Sequence, residues 1–187
     1  MLGPRGTKAA TCPMLAGESY GPPSWQPDGS ADENTYYRYV TQDDYMKLDS
    51  IYYCLDAATQ THLQGFIATF ENTETEQKQA FPYGETNTGD DSCEGFYVKD
   101  EAQWIRVKQD DDDITGLVIG NAELGTTYPF MTKDMADPDP RDTLKIPLMG
   151  RLIGFGVTTA KSTRGDKDQI VRLSIVYNGC NCVGSSF

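Results

Sequence analysis

Gly150 to Tyr177, GRLIGFGVTTAKSTRGDKDQIVRLSIVY, reads as two buried strands joined by one charged loop. In the first half, Leu152, Ile153, Phe155 and Val157 form an apolar run interrupted by Gly154 and Gly156. Glycine inside a strand pattern signals a bulge, a bend or a close backbone approach. In the second half the residues alternate. Val171, Leu173, Ile175 and Tyr177 fall on one face, and Ile170, Arg172, Ser174 and Val176 on the other, which is the period of a strand. Between the halves, Lys161 to Asp168 carries charges of both signs and a glycine but no apolar residue. A loop of that kind, held by two strands, is a place for a polar ligand.

Working back from this hairpin, further strand signals recur at short spacing. They are Ser50 to Leu55, Leu63 to Phe70, Ala80 to Tyr83, Phe96 to Val98, Trp104 to Lys108, Ile114 to Ile119, Thr126 to Met131 and Leu144 to Leu148. Glu71 to Gln79 has no apolar stripe, so it is expected to be a hairpin turn or loop rather than a helix. About ten short strands without a long amphipathic helix indicate an all-β sandwich, barrel or prism. No sequence repeat is strong enough to count its units.

Residues 1–48 have a different composition. They hold five of the ten prolines, with breaks at Gly21-Pro22-Pro23 and Pro27-Asp28-Gly29. Yet Tyr36, Tyr37, Tyr39, Val40 and Tyr45 make them too aromatic for a disordered tail. The expected organisation is an extended Tyr/Pro/Gly-rich arm over 1–48 and one domain over 49–187. Trp25, Tyr36, Tyr37 and Tyr39 are the arm residues expected to pack on the chain's own body or on a neighbouring copy. In the second case the arm would add to a neighbour's sheet by main-chain pairing.

The chain has 187 residues, enough for a core without metals. Sixteen Lys and Arg against twenty-eight Asp and Glu leave a formal charge of −12, which would repel duplex DNA and anionic membrane surfaces. No apolar run approaches the roughly 20 residues that span a bilayer. The first residues lack the continuous apolar segment of a secretory signal. Five cysteines, at 12, 54, 93, 180 and 182, form no C-x-x-C pair. They are either reduced thiols or bridges such as Cys54 to Cys93 and Cys12 to the terminal pair.

Catalytic signatures are missing: there is no G-x-S-x-G, H-E-x-x-H or phosphate loop, and His62 is the one histidine. His62 is read as a surface or turn residue, and the chain as non-enzymatic. Asp110, Asp111, Asp112 and Asp113 are four adjacent carboxylates between two strand signals. As oxygen ligands they are a calcium candidate; as a solvated hairpin tip they need no ligand.

The order and spacing of these segments resemble the jacalin-related lectins. Ile51 to Asp56 followed by Leu63-Gln64-Gly65-Phe66 is similar to the family's first hairpin, and Glu101 to Val107 to its E-Y-I-T-x-V strand. Ile114 to Gly120 with Thr127-Tyr128-Pro129-Phe130 resembles the segment ending T-Y-G-P-F/Y-G. Ile146 to Phe155 resembles L-P … G-x-I-V-G-F, and Asp168 to Tyr177 the closing strand. The resemblance covers roughly residues 49–178 and implies a β-prism of three short antiparallel sheets. It implies a secreted, extracellular lectin-like protein that binds a carbohydrate or glycoprotein and needs no cofactor; the lack of a recognisable signal segment leaves a cytoplasmic location as the alternative, and the arm makes other copies of the chain expected partners. The family's G-x-x-x-D loop, whose amides and carboxylate hold sugar hydroxyls, maps onto Arg164, Gly165, Asp166, Lys167 and Asp168, with Arg164 where the family has glycine. A second pocket loop maps onto Gln109, Asp110 and Asp111. The alternative is a structural subunit of an extracellular assembly joined through the arm.

Overall fold

The computed structural model describes residues 14–20, 34–40, 46–56, 62–86, 93–99, 102, 104–109, 114–121, 125–131, 143–147, 151–161 and 168–178. Among these there is no helix. The strands are β1 (Met14–Tyr20), β2 (Asn34–Tyr39), β3 (Met46–Leu55), β4 (Leu63–Asn72), β5 (Lys78–Gly84) and β6 (Cys93–Tyr97), followed by β7 (Trp104–Gln109), β8 (Ile114–Asn121), β9 (Thr126–Met131), β10 (Thr143–Pro147), β11 (Arg151–Lys161) and β12 (Asp168–Asn178). They form three four-stranded antiparallel sheets with orders β5-β4-β3-β6, β10-β7-β8-β9 and β1-β12-β11-β2. This is the all-β prism of three short sheets expected from the sequence.

The three sheets share one plan. Each has a central hairpin, β3-β4, β7-β8 or β11-β12. Each second hairpin strand has one further partner, β5, β9 or β1, and each first strand another, β6, β10 or β2. The result is a Greek key repeated three times. The third copy is closed by the N-terminal strands, so part of the segment expected as an arm supplies two strands of the chain's own third sheet. β2 runs antiparallel to β11, with Tyr36, Tyr37 and Tyr39 opposite Val157, Gly156 and Gly154. Trp25 lies outside the described residues.

A bulge recurs in each hairpin, at the second residue of β4 and of β8 and at the fourth residue of β12. Gln64 is the extra residue between the pairs Cys54–Gly65 and Leu55–Leu63. Thr115 is its counterpart between Lys108–Gly116 and Gln109–Ile114. Val171 is the third, between Thr158–Arg172 and Thr159–Ile170. An extra residue reverses the side-chain phase of the strand beyond it. In β12 this places Ile170 in the central cluster together with Leu173 and Ile175, on what strict alternation assigns to the other face. The same device lets Leu63 and Phe66, and Ile114 and Leu117, all reach that cluster.

The strands β4, β8 and β12 touch one another, so the core lies between the second strands of the three hairpins. At its centre Phe66, Tyr83 and Phe155 form an aromatic trio, with ring centroids 4.9, 5.2 and 5.7 Å apart. The Tyr83 ring is fully buried. Its hydroxyl donates to the Arg38 carbonyl at 2.7 Å and accepts from the Phe155 amide at 3.2 Å, two residues that face each other across β2 and β11. One phenol therefore ties the first sheet to the third. Burial raises the Tyr83 pKa above the ordinary phenol value.

β2 can approach β11 because Gly154 has no side chain. A Cβ there would lie 2.6 Å from the Tyr39 Cα and would also meet the Arg38 carbonyl. The β4-β5 connection is the hairpin expected over Glu71 to Gln79. The Asn72 side chain accepts from the Glu74 and Thr75 amides at 2.9 and 3.0 Å, and Glu76 takes a positive φ of 56°. Cys54 and Cys93 face each other across β3 and β6 and are joined by a disulfide.

Candidate functional site

The hairpins β3-β4 and β11-β12 end at one pole of the prism. Gly84, opposite Gly65 near the start of β4, lies against Thr159 near the end of β11, where a Cβ on Gly84 would stand 3.2 Å from the Thr159 methyl.

Asp168 is the first residue of β12, half-buried and opposite the exposed Lys161, at the neck of the hairpin loop expected to bind a polar ligand. Arg164, Gly165, Asp166 and Lys167 lie outside the described residues, as do Asp110, Asp111, Asp112 and Asp113 with the calcium expectation attached to them. Among the described residues no group of three His, Cys, Asp or Glu side chains is placed to hold a metal ion. Tyr39 is half-buried on the edge strand β2.

Three buried polar side chains stand out: Gln64 and Thr115 at the bulges of β4 and β8, and Gln169 beside Asp168. Gln64 is fully buried, Thr115 is 8% exposed and Gln169, next to Asp168, is 2% exposed. Both ends of the Gln64 amide, the Thr115 hydroxyl and the Gln169 carbonyl oxygen have no hydrogen-bond partner among the described residues. Buried polar atoms of this kind are costly unless water or a ligand atom satisfies them. A sequence signal for two of them exists. Leu63-Gln64-Gly65-Phe66 and Ile114-Thr115-Gly116-Leu117 are the same pattern of apolar, polar, glycine, apolar, and each marks a bulge.

Of the surface or turn position expected for it, His62 takes the second: it lies at the bend before β4, where its carbonyl accepts from the Asp56 amide, but it is 5% exposed rather than on the surface. Glu94 accepts from the Tyr53 hydroxyl at 3.0 Å on the first sheet. Burial first, then that hydrogen bond, pushes the Tyr53 pKa up to about 12. This pair ties β3 to β6 and lies away from Asp168.

No protein-family model matches the chain, and no curated protein matches it. Solved structures do. Calsepa lectin, determined in complex with a bisected glycan, aligns over 88% of this chain and 96% of its own, at 11% identity and a TM-score of 0.50. The agglutinin of Calystegia sepium aligns over 83% and 95%, at 12% identity and a TM-score of 0.44. The V. cholerae biofilm matrix protein Bap1 aligns over 91% of this chain but 24% of its own, at 12% identity and a TM-score of 0.47. The first of these spans nearly the whole of both chains, and with the three-sheet topology it shows that this chain has a jacalin-like lectin fold.

Proposed function

We propose that the protein is a non-enzymatic carbohydrate-binding protein whose site is the β11-β12 pole. The Asp168 carboxylate accepts hydrogen bonds from sugar hydroxyls. Arg164, Gly165, Asp166 and Lys167 supply backbone amides and a cationic rim, and the acidic loop containing Asp110 and Asp111 flanks them. The observation that carries this reading is the place of Asp168. It sits half-buried on a strand end beside the buried Gln169, whose carbonyl oxygen has no hydrogen-bond partner among the described residues. A carboxylate fixed in that way pays little ordering entropy on binding a hydroxyl pair. A polyol hydroxyl, or water carried with it, also satisfies a carbonyl oxygen such as that of Gln169.

The Cys54–Cys93 bridge supports an extracellular setting, because disulfides persist in oxidising compartments. A glycan array followed by calorimetry with the best hit tests the reading. Binding that disappears in Asp168→Ala while the fold is retained supports it. An empty array, or an undiminished affinity in Asp168→Ala, refutes it.

A further inference from the structure

The outer face of the first sheet carries two aromatic side chains that the core does not use. Tyr52 on β3 is 43% exposed and Tyr97 on β6 is 68% exposed, and they are the large hydrophobic residues exposed among those described. The strand register places them together. Tyr52 faces Ile67 on one side and Gly95 on the other, and Tyr97 faces Ser50, which in turn faces Thr69. Tyr52 and Tyr97 are therefore diagonal neighbours on one face, with Cβ atoms roughly 7 Å apart by sheet geometry.

This platform is held rigid. The Tyr52 ring lies over Gly95, where an added Cβ would meet its Cδ2 at 3.3 Å. The Cys54–Cys93 disulfide joins the same two strands two residues further along. The face has no ionised group in these two rows. At its border Lys78 Nζ lies 2.9 Å from Asp49 Oδ2 and 3.8 Å from Glu71 Oε1.

We infer that this face is a second binding site, for a neutral polysaccharide whose pyranose rings stack on Tyr52 and Tyr97. The occupant follows from charge and shape. A formal charge of −12 opposes an anionic polymer or the face-to-face approach of a second acidic copy. The two rows offer no carboxylate to a cationic partner. A flat, uncharged surface of ring faces with Ser50 and Thr69 hydroxyls matches a flat chain that is apolar on its ring faces and hydroxylated at its edges. Two stacking positions on adjacent strands match consecutive sugars of a chain, not one terminal residue.

The test is calorimetric titration of the full chain with cellohexaose, a neutral β-linked hexasaccharide. Tyr52→Ala and Tyr97→Ala should each weaken binding roughly fivefold, and the double variant more, from the loss of aromatic stacking. Tyr97→Phe should retain affinity, and so should Asp168→Ala, which separates this site from the pole. No binding of cellohexaose to the unaltered chain, or binding indifferent to both tyrosines, overturns the inference. Loss of binding in Asp168→Ala assigns the oligosaccharide to the pole and overturns it as well. A dimer in light scattering that Tyr52→Ala and Tyr97→Ala dissolve gives the face to a second copy and overturns it too.

Discussion

Replacing Tyr83 by Phe removes one oxygen from the centre of the molecule and leaves the ring packing untouched. That oxygen serves two backbone groups on different strands, the Arg38 carbonyl and the Phe155 amide. Each net hydrogen bond contributes about 1 kcal/mol, and a buried amide left without its acceptor costs about 1–3 kcal/mol. The sum is a destabilisation of about 2–4 kcal/mol, which for a chain of this size lowers Tm by roughly 4–16 °C. The comparison variant is Tyr53→Phe, which loses one hydroxyl contact to the exposed Glu94. It should cost about 1 kcal/mol or less. Urea unfolding followed by tyrosine and tryptophan fluorescence measures both. Hydrogen exchange at Phe155 should accelerate in Tyr83→Phe before global unfolding does, because β2 loses its tie to the first sheet. Equal stability of the two variants would refute the reasoning, since it would mean that the phenol does not link the sheets.

Other consequences can be checked on the same samples. Gly154→Val forces a side chain into the Tyr39 backbone and should cost about 2–3 kcal/mol, read as a lower urea midpoint. Gly125→Ala, where the added Cβ meets nothing within 4 Å but φ is +64°, should cost about 1 kcal/mol from backbone strain alone. Removing the Cys54–Cys93 bridge in a double Cys→Ala variant releases a closure of 39 residues and should cost up to about 4 kcal/mol, measured against the oxidised chain without reductant. Alkali should also destabilise the fold. Tyr53 is raised from 10.0 to about 12, so its contribution is fully present below pH 10 and is lost as the pH climbs toward 12. A tyrosinate absorbance titration that shows every tyrosine ionising near pH 10 in the folded state would contradict this.

Much of the prism was legible because its central hairpins are local. The alternation in Ile170 to Tyr177, the apolar run before it, and the turn at Glu71 to Gln79 all report short-range geometry. What was not legible is what joins distant parts. β2 pairs with β11 across more than a hundred residues, and nothing in Asn34 to Tyr39 specifies Gly154 as the place where its backbone will fit. The threefold plan shows in the sequence only at two of its three bulges, where β4 and β8 share the pattern of apolar, polar, glycine, apolar. Gln64, Thr115 and Val171 are all bulges, followed by Gly65, Gly116 and Arg172. Strict period-two reading fails at those bulges, which is why Ile170 was assigned away from the core it enters. Asp168 was legible as the end of the charged loop and the start of a strand, but the burial of Gln64 and Gln169 was not, since it depends on how the sheets pack.

The central claim is that the pole at Asp168 holds a carbohydrate. It is met most directly by a 15N-resolved NMR titration of the oxidised chain with the best glycan from the array. The account predicts shifts concentrated at Lys161, Asp168 and Gln169 and in the loop between Lys161 and Asp168, saturating with one affinity and abolished in Asp168→Ala. Saturable binding whose shifts leave these residues unmoved, or shifts that persist in Asp168→Ala, would contradict it.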